Sequence, residues 1–116
     1  MPTLITLGSE LLRINPANNS IEYSTNRGAS WLRRASGDSN GVFRDLLMYD
    51  GELLACTSKG LCYSQNKGAS WLMRFCWNSS CDIITIQDGG RELLGNTRDG
   101  HLFYSINKGA SWMRRY

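Results

Sequence analysis

One nine-residue string occurs three times in this 116-residue chain, and this repetition constrains the fold more than any other feature. The string reads YSTNRGASW at 23–31, YSQNKGASW at 63–71 and YSINKGASW at 104–112. A second string, ELL, precedes each copy, and the tryptophans that close the copies are 40 and 41 residues apart. The chain is therefore predicted to consist of three copies of one supersecondary unit.

Each unit predicts four short strands. In the middle copy, the runs DLLMYD, ELLACTS, GLCYS and SWLMRF are rich in apolar residues and are separated by glycine-containing turns. No window keeps the apolar spacing of a helix over a useful length. We therefore expect an all-β chain that forms a single domain, 1–116, with units at about 1–35, 42–75 and 82–116.

The repeated string holds residues that favour a tight hairpin. Asparagine at the head of a turn accepts hydrogen bonds from backbone N–H groups, glycine adopts positive φ, and a serine hydroxyl caps the loop. The flanking tyrosine and tryptophan are expected to pair across the two strands. We interpret the following positions as structural: Asn26, Gly28 and Trp31, with their repeats Asn66, Gly68 and Trp71, and Asn107, Gly109 and Trp112.

The pattern Ser-x-Asn-x-Gly-x-Ser-Trp resembles the Asp-box of BNR-repeat β-propellers, a family that includes sialidases, sortilin-type receptors and some xyloglucan-cleaving enzymes. Preceded by ELLACTSKGLCY or ELLGNTRDGHLFY, the pattern resembles the second, third and fourth strands of such a blade. The acidic position of the box is Asn in all three copies, so the acceptor oxygen is kept and cation binding is not expected. The resemblance implies four-stranded propeller blades with the box at their periphery, remote from the ligand funnel.

A propeller closes with roughly four to eight blades, so three blades imply an arc with two exposed apolar faces. We expect a homodimer in which two chains join head to tail as a six-bladed ring with twofold symmetry. A trimer with nine blades is the less economical arrangement. The alternative fold is a monomeric β-trefoil, which also uses three four-stranded units and needs no partner.

In a propeller of this strand order, ligands usually bind at the face formed by the loops between successive blades and by the loops between the second and third strands. The candidate ligand-binding residues in these loops are Asn40, Arg44, Asp45, Lys59, Trp77, Asp82, Arg98, Asp99 and His101. Trp77 predicts a stacking platform for a sugar ring or a base, or alternatively a plug between blades. His101 is interpreted as a solvated turn residue or a base, and Asp45 and Asp82 as strand caps or ligand contacts.

Three arginines follow the repeated tryptophans at the same spacing: Arg34, Arg74 and Arg115. Their recurrence predicts that each stacks on the Trp or Tyr of its own hairpin. A basic rim that binds phosphate is the alternative.

No catalytic set emerges from the sequence, and we expect a protein that is not an enzyme and needs no cofactor or metal. The chain predicts a binding module for a small polar ligand, with a carbohydrate as the first candidate. An anionic ligand, either a nucleotide or nucleic acid, held by Arg44, Lys59 and Arg98, is the second candidate, and a protein-interaction scaffold the third. The net charge of +3 falls short of the dense basic stripe of a dedicated nucleic-acid binder.

Four cysteines raise the question of disulfides or zinc. The four-residue spacing of Cys76 and Cys81 is a weak signal for a zinc site. Without an export signal, free thiols are the default expectation for all four cysteines. The first residues lack the features of a secretory signal, and no run of 18 apolar residues occurs. We therefore expect a cytoplasmic protein that does not associate with a membrane.

Overall fold

The computed structural model describes residues 4–36, 41–77 and 81–115, which form three four-stranded antiparallel sheets. Sheet I contains β1 (Leu4–Leu7), β2 (Glu10–Asn15), β3 (Ser20–Ser24) and β4 (Leu32–Ser36). Sheet II contains β5 (Phe43–Tyr49), β6 (Glu52–Thr57), β7 (Gly60–Ser64) and β8 (Leu72–Cys76). Sheet III contains β9 (Ile83–Asp88), β10 (Leu93–Thr97), β11 (Leu102–Ser105) and β12 (Met113–Arg114). The predicted all-β class with three four-stranded units is confirmed.

Each sheet is a meander in which the spatial order of the strands follows the chain. Its first and third turns consequently lie at one end, here called the turn end, which carries the three repeated hairpin loops. The loops between second and third strands lie at the opposite end, the loop end, at 16–19, 58–59 and 98–101. Within the three described ranges, no helix has the length and apolarity that crossing a membrane requires.

Sheet II lies between the other two sheets, and both of its faces are buried. Strand β5 contacts β1 on one side and β9 on the other, so the first strands of the sheets are neighbours. Because side chains alternate between the faces of a strand, Leu53 and Ala55 enter a core shared with sheet I, whereas Leu54 and Cys56 enter a core shared with sheet III. Burial of a leucine contributes roughly 1.5–3 kcal/mol, so these two cores hold the sheets together.

The outer faces of sheets I and III differ in chemistry. In the alternation of the strands, the outer face of sheet III carries Leu94, Leu102 and Tyr104, which repeat the buried-face residues Leu54, Leu61 and Tyr63 of sheet II. It also carries the polar Gln87 and Asn96 at the positions of Leu47 and Cys56. The outer face of sheet I instead carries Arg13 and Glu22 at the positions of Ala55 and Cys62. The expectation of two apolar outer faces is therefore wrong for sheet I, where an ion pair replaces small apolar residues.

The repeated hairpin loop is closed by one set of hydrogen bonds that recurs in all three copies. In the first copy, the Ser24 hydroxyl accepts from the N–H groups of Asn26 and Gly28 at 3.3 and 2.8 Å and donates to Asn26 Oδ1. Asn26 Oδ1 also accepts from the Ser30 N–H at 3.0 Å, and its Nδ2 donates to the Ser30 hydroxyl. The predicted roles of Asn26 and Ser30 are confirmed, although Asn26 accepts from the N–H group four residues ahead rather than two or three.

The predicted positive φ of the loop glycines is also confirmed, with +90° at Gly28 and +92° at Gly68 and Gly109. The basic residue before each glycine is left-handed as well, with φ between +61° and +63° at Arg27, Lys67 and Lys108. Two consecutive left-handed residues reverse the chain tightly. This backbone turns the carbonyl group of the basic residue toward the preceding sheet.

The expected pairing of tyrosine with tryptophan is wrong, because the register places Tyr23 opposite Leu32 and so puts Trp31 on the other face of the strand. The tyrosine ring is covered by arginine instead. The guanidinium of Arg34 lies 3.9 Å from the centroid of Tyr23, and Arg74 and Arg115 lie 4.1 Å from the centroids of Tyr63 and Tyr104. The predicted arginine stacking is confirmed, with tyrosine as the partner.

The same arginines join neighbouring sheets. Arg34 forms a two-pronged pair with Glu10 at 2.8 and 2.9 Å and donates to the Lys67 carbonyl of sheet II at 3.1 Å. Arg74 repeats this geometry with Glu52 and with the Lys108 carbonyl of sheet III. We call this arrangement the arginine latch. The hydrogen bond from Arg34 holds the pKa of Glu10 below its ordinary value, and Arg74 does the same for Glu52.

A loop glycine completes each junction by its close approach. A Cβ atom on Gly68 would lie 3.6 Å from Ile21 of sheet I, and one on Gly109 would overlap the buried side chain of Leu61 in sheet II. The two internal junctions are therefore built from the same parts. Each combines an arginine latch with an apolar side chain that packs on a glycine.

We predict that Gly109→Ala destabilises the protein by the cost of alanine at positive φ, about 1–2 kcal/mol, plus about 1–3 kcal/mol of overpacking against Leu61. Gly100→Ala is the matched control, because Gly100 has φ +91° and no atom within 4 Å of the added Cβ. Urea unfolding of both variants gives the comparison. Equal losses of stability would show that no tight contact exists at Gly109.

We predict that the latch makes stability depend on acidic pH. Because the folded pKa of Glu52 is below 4.5, the pair contributes fully above pH 4.5, and its contribution is lost as pH falls through the folded value. Solvent screening limits the effect of one pair to about 1 kcal/mol or less. Thermal melts between neutral and acidic pH should fall less steeply for Glu52→Gln than for the unaltered protein, and parallel curves would contradict this role.

Candidate functional site

The starts of the first strands bring together three predicted ligand-binding residues: Arg44, Asp45 and Asp82. Arg44 donates to Asp82 Oδ1 at 2.7 Å and to the carbonyl of Ile83 at 3.0 Å, which ties β5 to β9. The charge of Arg44 is thereby balanced by a carboxylate. The Asp82 side chain keeps 48% of its surface exposed, so it is the member of this group that a ligand reaches most readily.

Asp45 is used by the backbone. Its Oδ1 accepts from the Leu46 N–H at 3.0 Å, and its Oδ2 accepts from the Ile86 N–H of the neighbouring sheet at 2.9 Å. Both carboxylate oxygens therefore stabilise the approach of β5 to β9. This geometry corresponds to the strand-capping interpretation of Asp45.

Trp77 lies in the core between sheets II and III. Its ring centroid is 5.7 Å from that of Phe75 and 5.9 Å from that of Trp112, and its Nε1 donates to the Thr57 carbonyl at 2.7 Å. The ring is half-buried against this core, and its polar atom is hydrogen-bonded within the protein. This position corresponds to the alternative interpretation of Trp77, in which it fills the contact between neighbouring units.

At the loop end of sheet III, Asp99 and His101 lie on either side of a turn. Thr97 donates to Asp99 Oδ1 and lowers the pKa of that carboxyl group. His101 Nε2 is 3.7 Å from Asp99 Oδ2, and Nδ1 lies 3.0 Å from an Arg114 guanidinium nitrogen. The Asp99 side chain is 74% exposed, so this turn offers polar atoms to solvent.

The remaining candidates lie on two different sheets or outside the described residues. Lys59 and Arg98 are exposed on the loop ends of sheets II and III, and Asn40 lies outside the described residues. The set proposed for an anion therefore consists of one balanced arginine, Arg44, and two exposed cations on different sheets.

The four cysteines are free thiols, of which three are buried. Cys56 Sγ lies 2.9 Å from the Ile83 carbonyl oxygen, and burial raises its pKa; burial also raises the pKa of Cys62 and Cys81 to about 11. High thiol pKa values favour inert, protonated cysteines. In the part of the chain that the structure describes, no group of three His, Cys, Asp or Glu side chains is arranged to hold a metal ion.

Two clefts open at the turn end, one at each junction between sheets. Cleft I, of about 500 Å³, lies between sheets I and II and is lined by Leu7, Gly8, Ser9, Met48 and Lys67. Cleft II, of about 510 Å³, lies between sheets II and III and is lined by Tyr49, Asp50, Asp88, Gly90, Arg91, Ile106 and Lys108. None of the predicted ligand-binding residues lines either cleft, because those residues were chosen from the loop end.

The sequence held two signals for cleft II that were not interpreted. Gly89, Gly90 and Arg91 look like an insertion in the sequence pattern, but the strand register places them at the positions of Tyr49, Asp50 and Gly51, and Gly90 and Arg91 become part of the cleft wall. Ile106 replaces the polar Thr25 and Gln65 of the other hairpins, and its side chain is 70% exposed. Deviations from the repeat, rather than the repeat itself, mark this cleft.

Comparison with known proteins assigns no family to the chain. No family model matches it, and no curated protein matches it in sequence. The functional argument therefore depends on the geometry of the sheets, the loop-end residues and the two clefts.

Proposed function

We propose that the chain is a non-enzymatic binding module that closes into a six-bladed β-propeller as a homodimer and recognises a small polar ligand, with a carbohydrate as the first candidate. In this proposal each sheet is one blade. The first strands surround the ring axis, and the hairpin loops lie at the periphery.

The observation that carries the proposal is the repetition of the junction between sheets. Three of the residues that sheet II presents to sheet III recur on the outer face of sheet III, where Leu94, Leu102 and Tyr104 stand at the positions of Leu54, Leu61 and Tyr63. The loop glycine that receives such a side chain also recurs on sheet I, as Gly28. The side chains nearest to a Cβ atom on Gly28 are those of Trp31 and Leu11, which belong to its own sheet. Sheet I of a second copy can therefore pack on sheet III of the first, with Gly28 of the second copy against Leu102 of the first.

The residues that form the arginine latch are also present at this third junction, between sheet III of one copy and sheet I of the other. Arg115 pairs with Glu92 at 2.7 and 2.9 Å and stacks on Tyr104, as Arg34 and Arg74 do with their own glutamates and tyrosines. The counterpart of the Lys67 and Lys108 carbonyls on the joining copy is the carbonyl of Arg27, which has the same left-handed φ. Joined in this way, two chains supply six sheets and bury both outer faces.

Separate meander sheets support this arrangement over the β-trefoil. A trefoil joins strands from all three repeats in one barrel, whereas each described sheet here draws its four strands from one repeat.

The closing junction differs from the internal ones because it contains Arg13 and Glu22. Glu22 accepts from Arg13 at 2.9 Å and from Asn15 at 3.1 Å, and the Arg13 guanidinium lies 4.1 Å from the centroid of Trp31. A pair whose hydrogen bonds are satisfied within its own sheet costs less to bury than an open one. The junction is nevertheless less apolar than the other two, so we expect a dimer that dissociates on dilution.

A carbohydrate is favoured over an anion by the pairing of the basic side chains. The stacked arginines Arg34, Arg74 and Arg115 each carry a glutamate partner, and Arg44 carries Asp82. Such pairs present hydrogen-bonding groups with little net positive charge. Neutral polyhydroxylated ligands suit this surface better than phosphates do.

Sedimentation equilibrium is predicted to give the mass of two chains of 13.1 kDa, with a shift toward one chain on dilution. Leu102→Glu and Gly28→Ala should both displace this equilibrium toward the monomer, since one buries a charge and the other fills the space that receives Leu102. Leu72→Glu, at a leucine 59% exposed on the edge strand of sheet II, should leave it unchanged. A single-chain mass at every concentration would overturn the ring.

We predict that the salt dependence of ligand binding identifies the class of ligand. Isothermal titration with simple sugars should show binding that is nearly the same at low and high salt, because neutral ligands are not screened. Binding of nucleotides alone, with steep loss in salt, would replace the carbohydrate by an anion. Binding of neither would leave a protein-interaction scaffold.

A further inference from the structure

Cleft II is chemically different from its counterpart at the other junction. Leu7, Gly8 and Met48 of cleft I occupy the repeat positions of Tyr49, Asp50 and Asp88 in cleft II, while Lys67 corresponds to Lys108. Apolar and small residues in one cleft are thus replaced by polar and acidic ones in the other. The strand register is shared, so the difference lies in the side chains.

The turn between β9 and β10 positions the wall of cleft II. Asp88 Oδ1 accepts from the Gly90 N–H at 2.8 Å, which fixes the turn that carries Arg91. The Gly89 N–H donates to the Glu92 carbonyl at 2.9 Å and closes the same loop. The Tyr49 hydroxyl lies 3.5 Å from the Gly90 carbonyl oxygen at the base of the cleft.

The charges of cleft II are mixed and balanced. Asp50 and Asp88 supply two carboxylates, and Arg91 and Lys108 supply two cations, with Lys108 Nζ at 2.8 Å from Asp50 Oδ2. Neither a phosphate nor a cation is favoured where both signs are present in equal number. Carboxylates only accept hydrogen bonds, and guanidinium and ammonium groups only donate them.

Hydroxyl groups on adjacent carbons match this arrangement. One hydroxyl can donate to the carboxylate of Asp88 while its neighbour accepts from the guanidinium of Arg91. The exposed side chain of Ile106 offers an apolar contact at the rim for the C–H face of a ring. Burial and the nearby carboxylates of Asp88 and Asp50 raise the pKa of Tyr49, so its hydroxyl keeps its proton and remains a donor.

We infer that cleft II is a binding site for a neutral polyhydroxylated ring, a mono- or disaccharide, held by Asp88, Arg91 and the Asp50–Lys108 pair with Ile106 against its apolar face. Its volume of about 510 Å³ lies within the range of roughly 300–1,000 Å³ that small-molecule sites occupy. The inference rests on the proposed role as a sugar-binding module, but it does not need ring closure, because one chain supplies every residue of the cleft.

The test maps the binding of named sugars by amide chemical shifts in nuclear magnetic resonance, using glucose, galactose, mannose, fucose and N-acetylglucosamine as probes. We expect at least one sugar to shift the amides of 88–91 and 106–109. Asp88→Asn and Arg91→Gln should each weaken its affinity about tenfold or more, as the loss of a charge-assisted hydrogen bond predicts. Thermal melts of both variants establish that they remain folded.

Matched controls separate this site from the others. Lys108→Gln should weaken binding, whereas Lys67→Gln, the same change at the same position of the repeat in cleft I, should not. Sugar shifts confined to the loop end and abolished by Asp82→Asn would overturn the site in cleft II while the sugar-binding module stands.

Two other outcomes would also reject the inference. If no sugar shifts the cleft II amides, or if a nucleotide shifts them and the sugars do not, the assigned ligand class is wrong. A chain that sediments as a monomer but binds sugar in cleft II would reject the ring and keep this site.

Discussion

The structure depends on one arginine in each of the first two repeats that contacts its own sheet and the next sheet at the same time. Arg34 and Arg74 stack on a tyrosine, pair with the glutamate that opens the second strand, and donate to the carbonyl of a left-handed lysine in the neighbouring sheet. That carbonyl is available because two consecutive left-handed residues turn it outward. The short repeated string therefore sets both the hairpin and the contact between sheets, while the two apolar cores supply most of the stabilising free energy.

The three repeats share a backbone but differ on the surfaces that the middle repeat buries. Sheet III keeps Leu94, Leu102 and Tyr104 on its outer face but has Gln87 and Asn96 in place of Leu47 and Cys56. Sheet I carries the Arg13–Glu22 pair in place of small apolar residues. Terminal units of repeat proteins commonly depart from the consensus on their outer faces. In the proposed ring, this difference makes the closing junction the weakest of the three, so assembly would respond to concentration and pH before the chain itself unfolds.

Local chemistry made much of the fold predictable from the sequence. Short apolar runs between glycine turns identified the strands, and the regular spacing of Arg34, Arg74 and Arg115 predicted their stacking. The wrong expectations depended on strand register. The pairing of Tyr23 with Leu32 places Trp31 on the opposite face from Tyr23, and the register of β2 and β3 decides which side chains of sheet I point outward. Cleft II could not be recognised before the sheets were placed side by side, because its lining comes from segments as far apart as Tyr49 and Lys108.

Amide hydrogen exchange at two protein concentrations tests most directly whether the junction between sheets is used a third time. The account predicts that amides in β2, β3, β10 and β11 gain protection as concentration rises, whereas those in β6 and β7, already covered on both faces, do not change. Protection in sheets I and III that does not change with concentration would contradict it.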